Sequence, residues 1–264
     1  MTDKYLIKIK DNKKLILLTV VFGLFPVVCA AVYSILGGHR ISDVYLPASY
    51  WNDELIYYKQ VEAVVNYGLP QGWFGFQEAH AAKLPFAVWS PVILTPWVIW
   101  GKIFGWELIT PIYVNIFINI LAMVFFALLV RPNWRQSFFL LLLLAVFKPY
   151  SRYMLSGMPE AMYMAMGIVY VALSVSYMRE EKRWKLACLF LLCVYMTLGR
   201  VYLGLLFLTP AWFALKKKPL AGGAVTVGII GVTAGISVAI NKFCCSPYIF
   251  PIIDPKWLKT MLSE

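Results

Sequence analysis

Long apolar runs separated by short polar connections are the main pattern along this chain. A helix needs about 20 consecutive apolar residues to cross the hydrocarbon core of a bilayer, and several runs approach that length. The pattern predicts an all-α, polytopic membrane helix bundle of about seven spans. The predicted spans cover residues 15–36, 109–130, 136–148, 159–178, 186–199, 201–215 and 220–240.

The apolar segment 86–105 differs from these spans in its residue types. It contains two prolines, at 91 and 96, and three tryptophans, at 89, 97 and 100. Tryptophan is enriched at the membrane–water interface, and proline interrupts a regular helix. We therefore expect this segment to lie at the interface or to re-enter the membrane without crossing it.

A shorter amphipathic helix is predicted for residues 53–67, in the polar region after the first span. Asn52 is a favourable N-cap, and Asp53 and Glu54 would lie in the first turn, where the helix dipole favours negative charge. The sequence YGLP at 67–70 would end the helix. Capping alone accounts for this acidic pair, so its position does not by itself indicate a function.

Composition supports the membrane class. The chain has 264 residues, of which 61% are hydrophobic and 14% charged, and its mean hydropathy is +0.72. A net charge of +11 would suggest nucleic-acid binding in a soluble protein, but here the basic residues cluster beside apolar runs. Such clusters are typical of cytoplasmic loops that face anionic lipid. We expect membrane lipid, and not nucleic acid, among the partners.

The basic residues also predict the orientation of the chain. If the N-terminus is cytoplasmic and 86–105 does not cross, 14 of the 24 Lys and Arg residues lie on the cytoplasmic side. If that segment crosses, each side carries 12. The positive-inside rule favours the first arrangement, which places the clusters REEKRWK and KKK in short cytoplasmic loops.

This topology predicts a single membrane domain. It consists of a cytoplasmic tail (1–14), an extracytoplasmic loop with short interfacial helices (37–108), a helix bundle (109–240) and an extracytoplasmic end (241–264). The first apolar run is longer than a typical signal sequence and is predicted to stay in place as an anchor. The five cysteines show no spacing typical of a metal site or a disulfide framework.

Most candidate chemistry lies on the predicted extracytoplasmic side. Asp53 and Glu54 could supply a general base, provided that the pKa lies near the working pH. Burial among aromatic residues would raise this pKa and helix-end amides would lower it, and the sequence leaves the balance open. His80 could be a ligand or a proton shuttle, but the only other histidine is His39 and no zinc spacing is present.

Four stretches carry a resemblance to a known family. They are NDE at 52–54, NYGLPQGWFG at 66–75, AKLPFAVWSP at 82–91 and WGKIFGWELITPIYVNIFINILAMVFF at 100–126. Their order resembles the N-terminal part of GT-C-fold glycosyltransferases that use polyprenyl-phosphate sugars. This group includes protein O-mannosyltransferase-like and aminoarabinose-transferase-like enzymes, and the sequence is most similar to bacterial members.

The resemblance implies a transfer of sugar from a polyprenyl-phosphate carrier to an extracytoplasmic acceptor, in a bacterial plasma membrane. Asp53 would be the base that activates the acceptor, and Glu54 would help to position it. Asp43 comes earlier in the loop, but it lacks a neighbouring carboxylate and lies close to the first span. The resemblance implies no organic cofactor, while a divalent cation held by the acidic pair would be in keeping with some members.

The leaving phosphate requires a cation at the membrane surface. Lys83 is the first candidate, because its place before the interfacial segment resembles that of a lysine in the aminoarabinose-transferase-like members. Arg200 is the second, since arginine can bind phosphate through two parallel hydrogen bonds. Glu160, which follows Pro159 at the start of a span, is a further candidate carboxylate of the substrate-binding region. Snorkelling of the cations and helix-dipole stabilisation of Glu160 are the structural alternatives.

Two other functions remain open at this point. A transporter or flippase for lipid-linked sugars would use the same outer residues without chemistry, and a non-catalytic assembly subunit would tolerate substitutions throughout the loop. The family's membrane domain usually has more than seven spans, so the resemblance also implies either that the chain is the N-terminal part of a longer enzyme or that it is a natural half.

Overall fold

The structure is a computed structural model that describes residues 2–38, 40–43, 53–68, 71–72, 82–83 and 90–244. Across these residues the chain is almost entirely helical. The α-helices are α1 (Thr2–Leu36), α2 (Asp53–Tyr67), α3 (Thr95–Phe104), α4 (Thr110–Val130), α5 (Trp134–Val146), α6 (Lys148–Met154), α7 (Glu160–Arg179), α8 (Arg183–Gly199), α9 (Leu208–Lys217) and α10 (Pro219–Cys244).

Short elements join these helices. Three 3-10 helices cover Ile41–Asp43, Pro91–Leu94 and Val201–Phe207. Two antiparallel strands of two residues each, β1 (Gln71–Gly72) and β2 (Ala82–Lys83), pair Gln71 with Lys83 and Gly72 with Ala82. The all-α prediction is therefore confirmed, apart from this minimal hairpin.

Four of the described helices are long and apolar enough to cross a membrane: Asn12–Leu36 within α1, α4, α7 and α10. They coincide with four of the predicted spans, and the chain has the character of a membrane protein. The other three predicted spans correspond to shorter elements. Helix α5 has 13 residues and α8 has 17, while 201–215 is divided between a 3-10 helix and the ten-residue α9.

Helices α4 and α7 lie side by side and run in the same direction. Near their beginnings, the Asn119 amide donates to the carbonyl oxygen of Ala161 at 3.1 Å. At their ends, the Arg179 guanidinium donates to the carbonyl oxygen of Val130. Because the two helices are parallel, the segment α5–α6 must carry the chain back along the bundle from the end of α4 to the start of α7.

The other neighbours of α4 and α7 run in the opposite direction. Helix α1 is antiparallel to α4, since Phe22 stacks on Phe126 at 5.8 Å while Ala30 packs with Ile112. Helix α8 is antiparallel to α7, since the Lys185 ammonium reaches the carbonyl oxygen of Ser176 at 3.1 Å. The bundle therefore has two distinct ends, one at Val130 and Arg179 and the other at the start of α7.

We call the first of these the basic end. It carries Arg131, Arg135, Arg179, Lys182, Arg183, Lys185, Lys216, Lys217 and Lys218. Lys217 belongs here because its ammonium lies 3.3 Å from the carboxylate of Glu181. Charged side chains concentrate at helix ends because they are costly at the centre of a bilayer.

The opposite end is covered by α2 and α3. The predicted helix 53–67 is confirmed with the same bounds, and Gly68 follows it with φ of 77°, a conformation that ends a helix and favours glycine. Tyr57 and Val61 of α2 pack in one apolar cluster with Trp97 of α3 and Val114 of α4. The cluster fixes α2 against the bundle at the start of α4 and α7.

Candidate functional site

The site is built around an ion pair at the opposite end of the bundle. Arg200, which follows the last residue of α8, donates from Nη2 to the Oε1 atom of Glu160, the first residue of α7. The two side chains are only 11% and 20% exposed. Arg200 also donates from Nη1 to the Tyr202 hydroxyl at 2.9 Å, and its guanidinium carbon lies 4.9 Å from the centre of the Tyr163 ring. One carboxylate and two aromatic side chains thus enclose the cation.

Local packing brings these elements together. A Cβ at position 199 would overlap the hydroxyl of Tyr163 and lie 3.4 Å from the Cβ of Ile93. The glycine therefore lets the end of α8 approach α7 closely enough for the next residue, Arg200, to reach Glu160. Arg200 itself is extended, with φ of −144°, so its side chain leaves the helix axis at this point.

Helix α2 supplies a third wall. Tyr57 is 1% exposed. Burial raises the pKa of the Tyr57 hydroxyl, the negative charges of Glu160 and Asp53 raise it further, and Arg200 acts in the opposite direction, partly through a hydrogen bond. Asp53 precedes Tyr57 by one helical turn and so lies on the same face of α2. The charges of Asp53, Glu160 and Arg200 therefore all act on the Tyr57 hydroxyl.

The guanidinium keeps its positive charge in this setting. Burial lowers the pKa of Arg200, but the carboxylate of Glu160 and the hydroxyl of Tyr202 outweigh it, so the pKa lies above its usual range. Glu160 has a second oxygen, Oε2, that is buried and accepts no hydrogen bond from any group that the structure describes. The pair therefore retains an acceptor oxygen beside a fixed positive charge.

The two adjacent carboxylates of α2 have different surroundings. Glu54 is fully buried, whereas Asp53 is half-buried. Successive helical residues point about 100° apart, which allows one to face the bundle while the other stays accessible. Of the pair, Asp53 is thus the carboxylate that an external molecule can reach.

The remaining candidates are less fully described. Lys83 lies in β2, where its backbone pairs with Gln71, and its side chain is outside the described part of the chain, as is His80. Asp43 is exposed and accepts hydrogen bonds from the backbone nitrogen of Arg40 at 3.2 Å and from the Ser42 hydroxyl at 3.1 Å. Within the described residues, no group of three or more His, Cys, Asp or Glu side chains could hold a metal ion.

Sequence reasoning named four of the acidic and basic groups but missed two tyrosines. Tyr163 and Tyr202 both contact Arg200. Tyr163 follows Glu160 by three residues on α7, and that spacing places two side chains on one helical face. The spacing could have suggested a site at the start of α7, although not the partner from α8.

Comparison with known proteins found no relative: no family model, no curated protein and no solved structure matches the chain. The function must therefore be argued from the residues of the site.

Proposed function

We propose that the chain is a membrane glycosyltransferase of the GT-C type, which moves a sugar from a polyprenyl-phosphate carrier to an extracytoplasmic acceptor. One observation carries the proposal: the half-buried carboxylate of Asp53 and the guanidinium of Arg200 both act on the buried hydroxyl of Tyr57, at the end of the bundle opposite the basic residues. A base for an acceptor and a cation for a phosphate are the two groups that this reaction needs.

The proposed topology has the N-terminus in the cytoplasm of a bacterial cell and seven crossings. Four crossings are the long apolar helices, and three are shorter ones: the broken segment α5–α6, the continuous helix α8, and the segment 201–215. The alternating helix directions support this arrangement, because each connecting segment must return the chain to the other end of the bundle. In this topology residues 37–108 form the long outer loop.

The proposed reaction substitutes one bond at the anomeric carbon of the sugar. The acceptor oxygen or nitrogen forms a bond to that carbon, the bond from the carbon to the phosphate oxygen breaks, and polyprenyl phosphate leaves. Asp53 takes the proton of the acceptor, and the buried Glu54 positions the helix start. Lys83 and Arg200 are proposed to balance the charge of the phosphate, with Glu160 keeping Arg200 in place and His80 contacting the acceptor or the sugar.

The proposal predicts that Asp53→Asn loses transfer. A general base contributes about 10²- to 10⁴-fold to a rate, and we expect a loss of about this size. The measurement is release of polyprenyl phosphate from labelled polyprenyl-phosphate mannose and aminoarabinose, by the protein in lipid vesicles with membrane extract as the source of acceptor. Asp43→Asn is the matched control, because Asp43 is an exposed carboxylate elsewhere in the same predicted loop.

Release at the wild-type rate by Asp53→Asn would refute the assignment of the base. Absence of release by the wild-type protein from either carrier, with acceptor extract present, would count against the proposed reaction itself. Membrane insertion of each variant, measured by carbonate extraction, shows whether a lost rate reflects chemistry.

A transporter of lipid-linked sugars is the second candidate, favoured by the break between α5 and α6. Interrupted helices are typical of transporter binding sites, and α5 ends at Val146 just before α6 begins at Lys148. Movement of labelled carrier across vesicles that persists in the variant Asp53→Asn/Glu54→Gln would favour transport over transfer.

A further inference from the structure

An apolar cleft lies between α4, α5, α6 and α7. Its volume is about 230 Å³, it is partly open, and its accessible lining is entirely apolar. The lining residues are Met123, Phe126, Leu140, Leu144, Phe147, Tyr150, Met164, Gly167, Ile168 and Val171. The volume is below the roughly 300–1,000 Å³ of typical small-molecule sites, which suits a stretch of hydrocarbon chain better than a whole ligand.

The cleft is separate from the site around Arg200. On α7, Tyr163 approaches Gly199 and the Tyr170 hydroxyl donates to the carbonyl oxygen of Leu206 at 2.9 Å, so these tyrosines face α8 and the segment after it. Ile168 instead packs in a cluster with Met123 of α4. The cleft therefore lies on the other side of α7.

The position of the cleft along the helices matches the interior of a bilayer. Met123 and Phe126 lie in the body of α4, and Gly167 and Val171 lie in the body of α7, both of which are long and apolar enough to cross a membrane. Residues in the middle of a spanning helix lie at hydrocarbon depth. An opening there faces lipid chains.

A basic residue adjoins the lining of this cleft in the sequence. Lys148 is exposed, and it directly follows Phe147, whose side chain lines the cleft. Its neighbours Val146 and Phe147 are 71% and 49% exposed, as expected of lipid-facing side chains. A lysine beside such residues is costly unless its ammonium reaches the interface or pairs with an anion, and a lipid phosphate supplies that anion.

We propose that this cleft holds one acyl chain of an anionic phospholipid, with the lipid phosphate paired to Lys148. The acyl chain fills a space that no described side chain occupies, and the lipid phosphate neutralises the ammonium of Lys148. The lipid would thereby stabilise the connection between α5 and α6 against α4 and α7. This site does not depend on the proposed transfer reaction.

Native mass spectrometry of the full chain tests the proposal. The protein is delipidated in detergent and titrated with phosphatidylglycerol and phosphatidylcholine that carry the same acyl chains. We expect one retained phosphatidylglycerol and a preference for it over phosphatidylcholine of about fivefold, since a lysine near anionic lipid contributes about 1 kcal/mol.

Two variants test the acyl-chain contact and the phosphate contact separately. Gly167→Leu points a side chain into the cleft, because a Cβ there meets nothing within 4 Å, and should lower occupancy about tenfold, equivalent to about 1.4 kcal/mol. Gly228→Leu on α10 is the matched control, with equally open space. Lys148→Gln should abolish the preference for phosphatidylglycerol, while Lys242→Gln, which removes another exposed lysine, should keep it.

If Gly167→Leu binds phosphatidylglycerol as fully as the wild type, the acyl-chain site is overturned. If Lys148→Gln keeps the preference for phosphatidylglycerol over phosphatidylcholine, the phosphate contact is overturned. If Gly167→Leu fails to give folded protein, Met164→Phe fills the same cleft from α7 and must reduce occupancy in its place. Displacement of phosphatidylglycerol by an equal concentration of polyprenyl phosphate would also overturn the proposal, because the cleft would then belong to a different lipid.

Discussion

Ion pairs occur at both ends of the bundle, but in different surroundings. At the basic end, the Glu180 carboxylate lies 3.0 Å from the ammonium groups of Lys182 and Lys185; Glu180 and Lys182 are 57% and 59% exposed, and only Lys185 is buried. At the opposite end, Glu160 and Arg200 are largely buried. Exposed pairs contribute little to stability, whereas removal of one partner from a buried pair leaves a costly lone charge. The first arrangement suits orientation in the membrane, and the second suits a site with fixed geometry.

The largest stability effect is therefore expected at Arg200. Arg200→Met leaves the Glu160 carboxylate without its cation in a mostly buried position, which should lower the free energy of unfolding by about 3 kcal/mol. Denaturant titration in mild detergent measures the change. The double variant Glu160→Gln/Arg200→Met should recover most of the loss, and a single variant as stable as wild type would show that the pair does not hold α7 to α8.

Gly199→Ala should have the next largest effect. The added methyl overlaps the Tyr163 hydroxyl, and overpacking of this kind costs about 1–3 kcal/mol. The thermal unfolding midpoint should fall, and Tyr163→Phe should restore it in combination, because it removes the atom that clashes. Gly228→Ala, in open space on α10, should be neutral or slightly stabilising. Equal midpoints for Gly199→Ala and Gly228→Ala would argue against the close approach of α8.

The smallest effect is expected at the basic end. Hydrogen bonds from Lys182 and Lys185 lower the pKa of Glu180 to about 2. Because the folded-state pKa is below the unfolded one, any contribution is present above about pH 4.5 and is lost as the pH falls toward 2. Glu180→Gln should lower the unfolding midpoint at pH 7 only slightly, since this carboxylate is exposed and the buried ammonium of Lys185 keeps its hydrogen bond to the carbonyl oxygen of Ser176. A shift as large as that of Arg200→Met would remove the contrast between the two ends.

The long helices could be predicted because their signal is local. The apolar runs predicted the bounds of α4 and α7 to within one residue. The acidic first turn and the helix-ending sequence YGLP predicted the bounds of α2. The three short predicted spans were less reliable, because their apolar runs are shorter than the length that a helix needs to cross a membrane. Helix α5 ends at Val146, two residues before the predicted limit, and the next helix begins at Lys148 with Pro149 at its second position.

The site could be predicted only in its parts. Asp53, Glu54, Glu160 and Arg200 were each chosen from their own neighbours in the sequence, and two of them form an ion pair across 40 residues. That pairing depends on the close approach of α8 to α7 at Gly199, which no local pattern encodes. The burial of Glu54 likewise results from the packing of α2 on the bundle.

The central claim is that the two ends of the bundle face opposite sides of the membrane, with Asp53 and Arg200 outside the cytoplasm. Single cysteines test it most directly, in a background where the five native cysteines are replaced by alanine. Ser42→Cys and Glu181→Cys introduce exposed thiols at the opposite and basic ends, respectively. We expect a membrane-impermeant maleimide to label residue 42 in intact spheroplasts and residue 181 only after permeabilisation. Labelling of residue 181 alone in intact spheroplasts would contradict the orientation and, with it, the proposed extracytoplasmic site.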